Sequence, residues 1–356
     1  MAAKISIRLP DLFQVFLKQK PKLNPSYQFT KRESEQWLGR ICALSTGTQQ
    51  KIENCDFAYF CAIAAPYASR KKFRILCDWG NWVFPFDDMF DDSTLRDEPE
   101  KAKEIMESFW EPFSGTQFPS TARANIVQAH DDLAKRLFSV YIFRFQYVSL
   151  FNRFEGIKQR YLRAMEAYCS GVLRHVSSHG AHQSPSLEEM IENRRGSIGA
   201  APLYHLVEYC HNISLPDYIF QDPTIQELEV LGMDIVFITN DIVSYHKEEC
   251  TGEPDNIIAT CRLMGMSAQQ AFDVAGKLLE DRYHRWEVVE ANVSKYNEQV
   301  DEQLSMYVEA IKAVVRANLY WSFKTDRYTE DDPEKVRQTR KITVLENPPY
   351  LGRETP

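Results

Sequence analysis

The sequence predicts an all-α fold built as one large domain. Three observations carry that expectation. Only 14 glycines occur in 356 residues, runs of alternating β-branched residues are few, and several long segments repeat apolar residues every three or four positions. A stripe of that period is the buried face of an amphipathic helix.

The helical stripes are clearest from Phe138 to Phe151, Ile225 to Val243, Ala268 to Val293 and Leu304 to Phe323. Between them, turn-forming residues concentrate at Lys20 to Ser26, Gly115 to Ser120, Ser177 to Ser186, Leu215 to Pro223 and Thr251 to Asp255, and in the proline-bearing segment from Thr339 onward. None of these breaks has the length or composition of an interdomain linker, and no internal repeat or low-complexity tract is present. The simplest organisation is a single domain of roughly a dozen helices over residues 1–338, opened by a segment over 1–25 and followed by a flexible tail over 339–356.

With 44% hydrophobic residues the chain can bury a sizeable core. Its net charge of −8 excludes the clustered basic surface that nucleic-acid phosphates require. The stretch from Met1 to Pro10 lacks the apolar run of a signal peptide, and no window of about 18 apolar residues is present to span a bilayer. A cytosolic protein with no stable membrane insertion is expected. The eight cysteines, Cys42, Cys55, Cys61, Cys77, Cys169, Cys210, Cys250 and Cys261, are dispersed among mostly apolar neighbours and are expected to be reduced core residues.

The most unusual local sequence runs from Trp82 to Asp92, where an aromatic run is followed by Asp87, Asp88, Asp91 and Asp92. On a helix Asp87 and Asp91 share a face, while Asp88 and Asp92 form a parallel pair turned by one residue. Such like charges repel unless a cation lies between them. Magnesium takes hard oxygen ligands and is commonly held by one or two carboxylates plus substrate phosphates. An exposed acidic helix end would give the same pattern, so this cluster alone leaves both readings open. Asp131-Asp132 is an internal control, because Lys135 and Arg136 stand where further acids would be; that pair reads as ordinary surface.

A second cluster follows the apolar run Ile235 to Ile238. Asn240, Ser244 and Glu248 are spaced by four and four, so a helix presents an amide oxygen, a hydroxyl and a carboxylate on one face. Lys247 could reach a bound phosphate as a point charge. Asn240 in an otherwise apolar stretch is costly unless partnered, by about 1–3 kcal/mol for a buried amide. A polar helix strip is again the plain alternative, but the conjunction of two such clusters is harder to assign to chance.

In this order, and on a chain of this length, the two motifs resemble those of the class I terpene synthases, and most of all the fungal, basidiomycete-type sesquiterpene synthases. Asp87-Asp88-Met89-Phe90-Asp91 is similar to the family's D-D-x-x-D. Asn240-Asp241-x-x-Ser244-x-x-Lys247-Glu248 matches N-D-x-x-S-x-x-K-E without departure. Arg194-Arg195-Gly196-Ser197-Ile198-Gly199 resembles the segment whose arginine senses diphosphate, with Arg194 lying 46 positions before Asn240. Trp321 to Tyr328 resembles the terminal helix and its Arg327-Tyr328 pair. Arg8 to Leu12, with Asn24-Pro25, resembles the fungal N-terminal segment.

The resemblance implies an all-α class I terpenoid synthase bundle around an apolar cavity, with the N-terminal segment capping the site. It implies three Mg²⁺ ions, replaceable by Mn²⁺, and farnesyl diphosphate as substrate of a monomer or homodimer. Asp87 and Asp91 would serve one side of the metal cluster, and Asn240, Ser244 and Glu248 the other. Asp88 would pair with Arg194 on closure. Arg194, Lys247, Arg327 and the Tyr328 hydroxyl would bind the diphosphate, Arg through its planar fork. The catalytic set is then Asp87, Asp88, Arg194, Phe84 and Trp321, with Val83, Phe57 and Tyr59 as further wall candidates. A ring face stabilises a desolvated cation by about 2 kcal/mol or more, although any one of these aromatics is more often simple core. A helix break is expected at Ser197 and Ile198, whose carbonyl would face the substrate.

Two other patterns are set aside. His175, His179 and His182 lack a fourth zinc ligand nearby, and Asp331-Asp332-Pro333 reads as a turn. An isoprenyl diphosphate synthase would carry a second Asp-rich motif where Asn240, Ser244 and Glu248 stand. A diterpene cyclase acting on geranylgeranyl diphosphate would share every motif. A helical scaffold would share only the composition.

Overall fold

A computed structural model describes residues 3–91, 95–96, 98–114, 124–139, 148–178, 185–251, 255–328 and 332–352, with the backbone alone at 91, 111–114, 139, 148–154, 178, 251 and 352. From the N-terminus the elements are β1 (Lys4–Arg8), α1 (Tyr27–Ile41), α2 (Thr46–Cys55), α3 (Phe57–Ala64), α4 (Arg70–Asp91), α5 (Pro99–Ser114), α6 (Asn125–Ser139), α7 (Val148–Ser178), α8 (Leu187–Ser197), α9 (Ala200–Cys210), α10 (Pro223–Thr251), α11 (Ile257–Leu263), α12 (Ala268–Ala291), α13 (Glu298–Ser322), α14 (Pro333–Thr339) and β2 (Lys341–Leu345). The helix starts follow local chemistry. Ser186 and Glu189 form a reciprocal capping box on α8, Ser267 and Gln270 do the same on α12, and Asn297 caps α13.

These elements sort into two compact units. One comprises residues 22–180 and 201–217, the other residues 1–21, 181–200 and 218–356.

In the first unit α4 packs against α1, α3, α6 and α7. Its aromatic run is the reason: the Trp82 ring lies 4.7 Å from Phe86, 5.9 Å from Phe109 and 4.6 Å from the His130 ring, and its indole N–H donates to the Ile126 carbonyl. Pro85 lies inside α4. With no N–H to donate, it weakens the helix just before the acidic cluster, which opens two residues later at Asp87. Asp78, two turns earlier, is buried between Arg74 and Arg136, at 2.7 and 2.5 Å. Asp131 departs from the surface reading: it is 8% exposed. Helix α6 packs against α1, α4 and α5 at once, so its covered face is wide enough to take Asp131 along with His130 and Ala134, and the charge pattern at Lys135 and Arg136 carried no sign of it. Asp132 accepts from Trp37 and Arg136.

In the second unit α10 is the hub, packed against α8, α11, α12 and α13. Residues 3–21 belong to this unit, where Leu9, Leu12, Phe16 and Leu17 are buried and Tyr283 donates to the Leu12 carbonyl. Residues 341–345, which the sequence reading left in a tail, form strand β2 instead. It runs antiparallel to β1, with Lys4 opposite Leu345 and Arg8 opposite Lys341. Ile342 and Val344 alternate inward over a single short strand, too few residues to stand out against proline-rich neighbours. Cys61, Cys77, Cys169, Cys210 and Cys261 are buried, whereas Cys250 is exposed rather than core. No described helix is long and apolar enough to cross a membrane.

Candidate active site

Helix α10 continues unbroken from Pro223 to Thr251, so Asn240, Ser244 and Glu248 fall on one face at successive turns. Ser244 is 1% exposed, and its hydroxyl has no hydrogen-bond partner among the described residues. The Thr30 and Thr260 hydroxyls, buried on α1 and α11, are likewise unmatched among those residues, but neither stands between an amide oxygen and a carboxylate at four-residue spacing as Ser244 does. Thr239, mid-helix on α10, and Ser322, the last residue of α13, turn their hydroxyls back to the carbonyls four residues earlier, those of Ile235 and Asn318, at 2.7 and 2.8 Å. A buried hydroxyl left unmatched costs about 1–3 kcal/mol, unless a ligand such as a cation takes its lone pairs. The flanking donors suit a hard cation, being an amide oxygen and a carboxylate.

Asn240 accepts from Arg194 at 3.2 Å and donates to the Tyr328 hydroxyl at 3.1 Å. Arg194 also places Nε and Nη2 on one oxygen of Asp241, at 3.0 and 2.7 Å. The adjacent Arg195 does something else. It grips Asp234 with two nitrogens, at 2.7 and 2.8 Å, while Arg282 reaches the same carboxylate at 2.6 Å. Arg195 thus ties α8 to α10 and α12, and Arg194 is the one directed at the motif. Helix α8 ends at Ser197, the Ile198 amide returns to the Arg194 carbonyl, and Gly199 takes a φ of +68° before α9 begins. The helix break therefore lies where the sequence reading put it.

Tyr328 is buried, edge-on to the fully buried Trp321 at 5.6 Å, with the Arg327 guanidinium 5.8 Å from its own ring. Burial raises the Tyr328 phenol above its ordinary pKa, and the positive charges of Arg327 and Lys247 pull it back. Both cations therefore lie near that hydroxyl.

In the other unit Asp87 accepts from the Tyr168 hydroxyl of α7 at 2.7 Å. Asp87 and Asp88 are both half-buried. Asp91 closes α4, but its side chain, and all of Asp92, lie outside the described residues. Phe84 is half-buried and stacked on Phe57, with centroids 4.2 Å apart and planes 9° from parallel. Val83 is buried, and Tyr59 pairs with Tyr27 at 5.9 Å. His175 lies on α7; His179 and His182 are outside the described residues.

Sequence reasoning gave no role to three residues that contact these side chains. Tyr168 had no signal, being one aromatic among many on α7. Asp241 stood inside the quoted motif; it is fully buried, and burial pushes its carboxyl up to about 6 against the pull of Arg194. Asn256 lies in a turn-rich stretch and donates to Glu248 at 2.8 Å.

The family model described as terpene synthase family 2, C-terminal metal binding, matches residues 78–285. Silphinene synthase of Penicillium patulum is 33% identical, covering 96% of this chain and 90% of that protein. The (+)-eremophilene synthase of Gibberella fujikuroi is 29% identical over 96% of this chain and 94% of its own length. Among solved structures, a-eudesmol synthase superposes with a TM-score of 0.73 at 20% identity, covering 87% of this chain and 98% of that one, a likeness of the all-α fold.

Proposed function

This chain belongs to terpene synthase family 2, whose domain is metal-binding, and we propose on that footing that it is a sesquiterpene cyclase acting on farnesyl diphosphate. The observation that supports the reading best is the Ser244 hydroxyl, buried and unmatched between Asn240 and Glu248 on one helix face. What sets it apart from the unmatched hydroxyls of Thr30 and Thr260 is its place in line with an amide oxygen and a carboxylate, the donor set a hard cation takes.

In this proposal the catalytic domain includes strand β2 as well as residues 1–338, and residues 1–25 cap the site. Asn240, Ser244 and Glu248 would hold one Mg²⁺, and Asp87 with Asp91 would hold two more. Magnesium, when bound, supplies positive charge to the diphosphate oxygens. Arg194, Lys247, Arg327 and the Tyr328 hydroxyl bind the same leaving group, stabilising the charge it gains as the carbon–oxygen bond breaks and the electron pair departs with diphosphate. Arg194 exchanges its Asp241 partner for diphosphate and Asp88 as the site closes. Phe84, stacked on Phe57, and Trp321 form walls that keep water from the allylic cation and offer it ring faces. Attack by a distal double bond closes a ring, and loss of a proton or capture of one water ends the sequence.

Incubation with farnesyl diphosphate and Mg²⁺, followed by gas chromatography, is expected to give a cyclic C15 hydrocarbon or alcohol and one diphosphate per turnover, with none when Mg²⁺ is chelated. Longer linear diphosphates formed on addition of isopentenyl diphosphate would replace cyclisation with chain elongation. Turnover of geranylgeranyl diphosphate alone would move the assignment to diterpenes.

A further inference from the structure

The carboxylate of Glu248 sits on the last turn of α10, which ends at Thr251. That is a poor place for a side chain that must hold its position. Terminal turns fray, and the partial negative charge of a helix C-terminus disfavours a carboxylate there. Something outside the helix has to fix it.

Asn256 fits that need. It is fully buried, and three hydrogen bonds use its side-chain amide. The oxygen accepts from the Ile258 amide at 2.7 Å, capping α11. The nitrogen donates to Glu248 Oε2 at 2.8 Å and to the Asp241 main-chain carbonyl at 2.9 Å. The next residue adds a fourth link, the Ile257 amide donating to Asp241 Oδ2 at 2.8 Å. The turn at 256–257 thereby grips α10 at two points, one on a motif carboxylate and one on the partner of Arg194.

We propose that Asn256 is a positioning residue that keeps the Glu248 carboxylate in register with Asn240 and Ser244, an inference that rests on reading Glu248 as a metal ligand. Holding Oε2 sets the plane of the carboxylate, and the N–H donor offsets repulsion between Glu248 and Asp241. Only a side chain with both an acceptor and a donor at this length does both tasks.

Asn256→Ser keeps a capping oxygen and removes the donor. Asn256→Asp keeps the cap and the shape, but turns an oxygen toward Glu248. Mn²⁺ binding in the presence of inorganic diphosphate, read by electron paramagnetic resonance, is expected to weaken about tenfold in Asn256→Ser and at least as much in Asn256→Asp, as is typical for loss of an outer partner of a metal ligand. Placed on Glu248→Gln, the serine substitution should change the Mn²⁺ affinity by less than about twofold, because the group it positions is gone. Should Asn256→Ser fail to fold, the isosteric Asn256→Asp decides. Parental affinity in the folded variants would overturn the proposal, as would a loss repeated undiminished on Glu248→Gln. Parental affinity in Glu248→Gln itself would sink the reading of the metal site, and the proposal with it.

Discussion

Ser244 and His130 illustrate opposite uses of a buried polar group. The Ser244 hydroxyl is unmatched, so removing it should not harm the fold. Ser244→Ala is expected to leave the melting temperature unchanged or slightly raised, while turnover of farnesyl diphosphate falls by about a hundredfold or more, the scale of losing one group that stabilises transition-state charge. A stability loss with unchanged turnover would assign the residue to packing. His130, wholly buried against Trp82 and Phe109 and hydrogen-bonded to Tyr161 at 3.1 Å, has its pKa pushed down by burial to about 3. The folded state therefore prefers the neutral ring. Stability from this group is complete above the unfolded value near 6.5 and is lost as pH falls below it, by about 2 kcal/mol at pH 5. The urea midpoint should drop between pH 7 and pH 5, and His130→Gln should flatten that dependence even though it lowers stability at pH 7.

The end of the chain makes a case at the level of elements. Beyond α14, β2 completes the ladder with β1, and its Leu345 amide donates to Glu249. Arg262 donates to the Leu345 carbonyl and to the Tyr245 hydroxyl, both at 2.9 Å, and Tyr245 meets Tyr350 at 2.6 Å. Tyr245 and Glu249 stand one residue after Ser244 and Glu248, so this segment braces α10 on the flank of its oxygen-bearing face. Truncation after Arg340 would strand a buried arginine and leave β1 unpaired. A loss on the order of 3 kcal/mol, or several degrees in melting temperature, is expected by calorimetry. An unshifted transition would make the segment dispensable. Gly199 is the hinge of another element pair: at φ +68° an L side chain is strained, so Gly199→Ala should cost about 1–2 kcal/mol in chemical denaturation.

Across the whole molecule, the long helices were legible because their apolar period is long and regular, and the two motifs because oxygen-bearing residues at four-residue spacing are rare inside apolar runs. Arg194 could be named from its spacing to Asn240, but the part Arg195 plays could not be read, since only the fold shows that it faces Asp234. Strand β2, the burial of Asp131 and the tether at Asn256 were hidden for a shared reason. Each depends on what another element brings to it, and a one-dimensional pattern records only a residue's own period. The central claim is that Asp87 and the Asn240, Ser244 and Glu248 face serve one metal cluster on one prenyl diphosphate. Anomalous diffraction from crystals grown with Mn²⁺ and inorganic diphosphate tests it most directly. Manganese peaks at Asp87 and at Ser244 and Glu248 are predicted; peaks at only one motif, or at neither, would contradict the account.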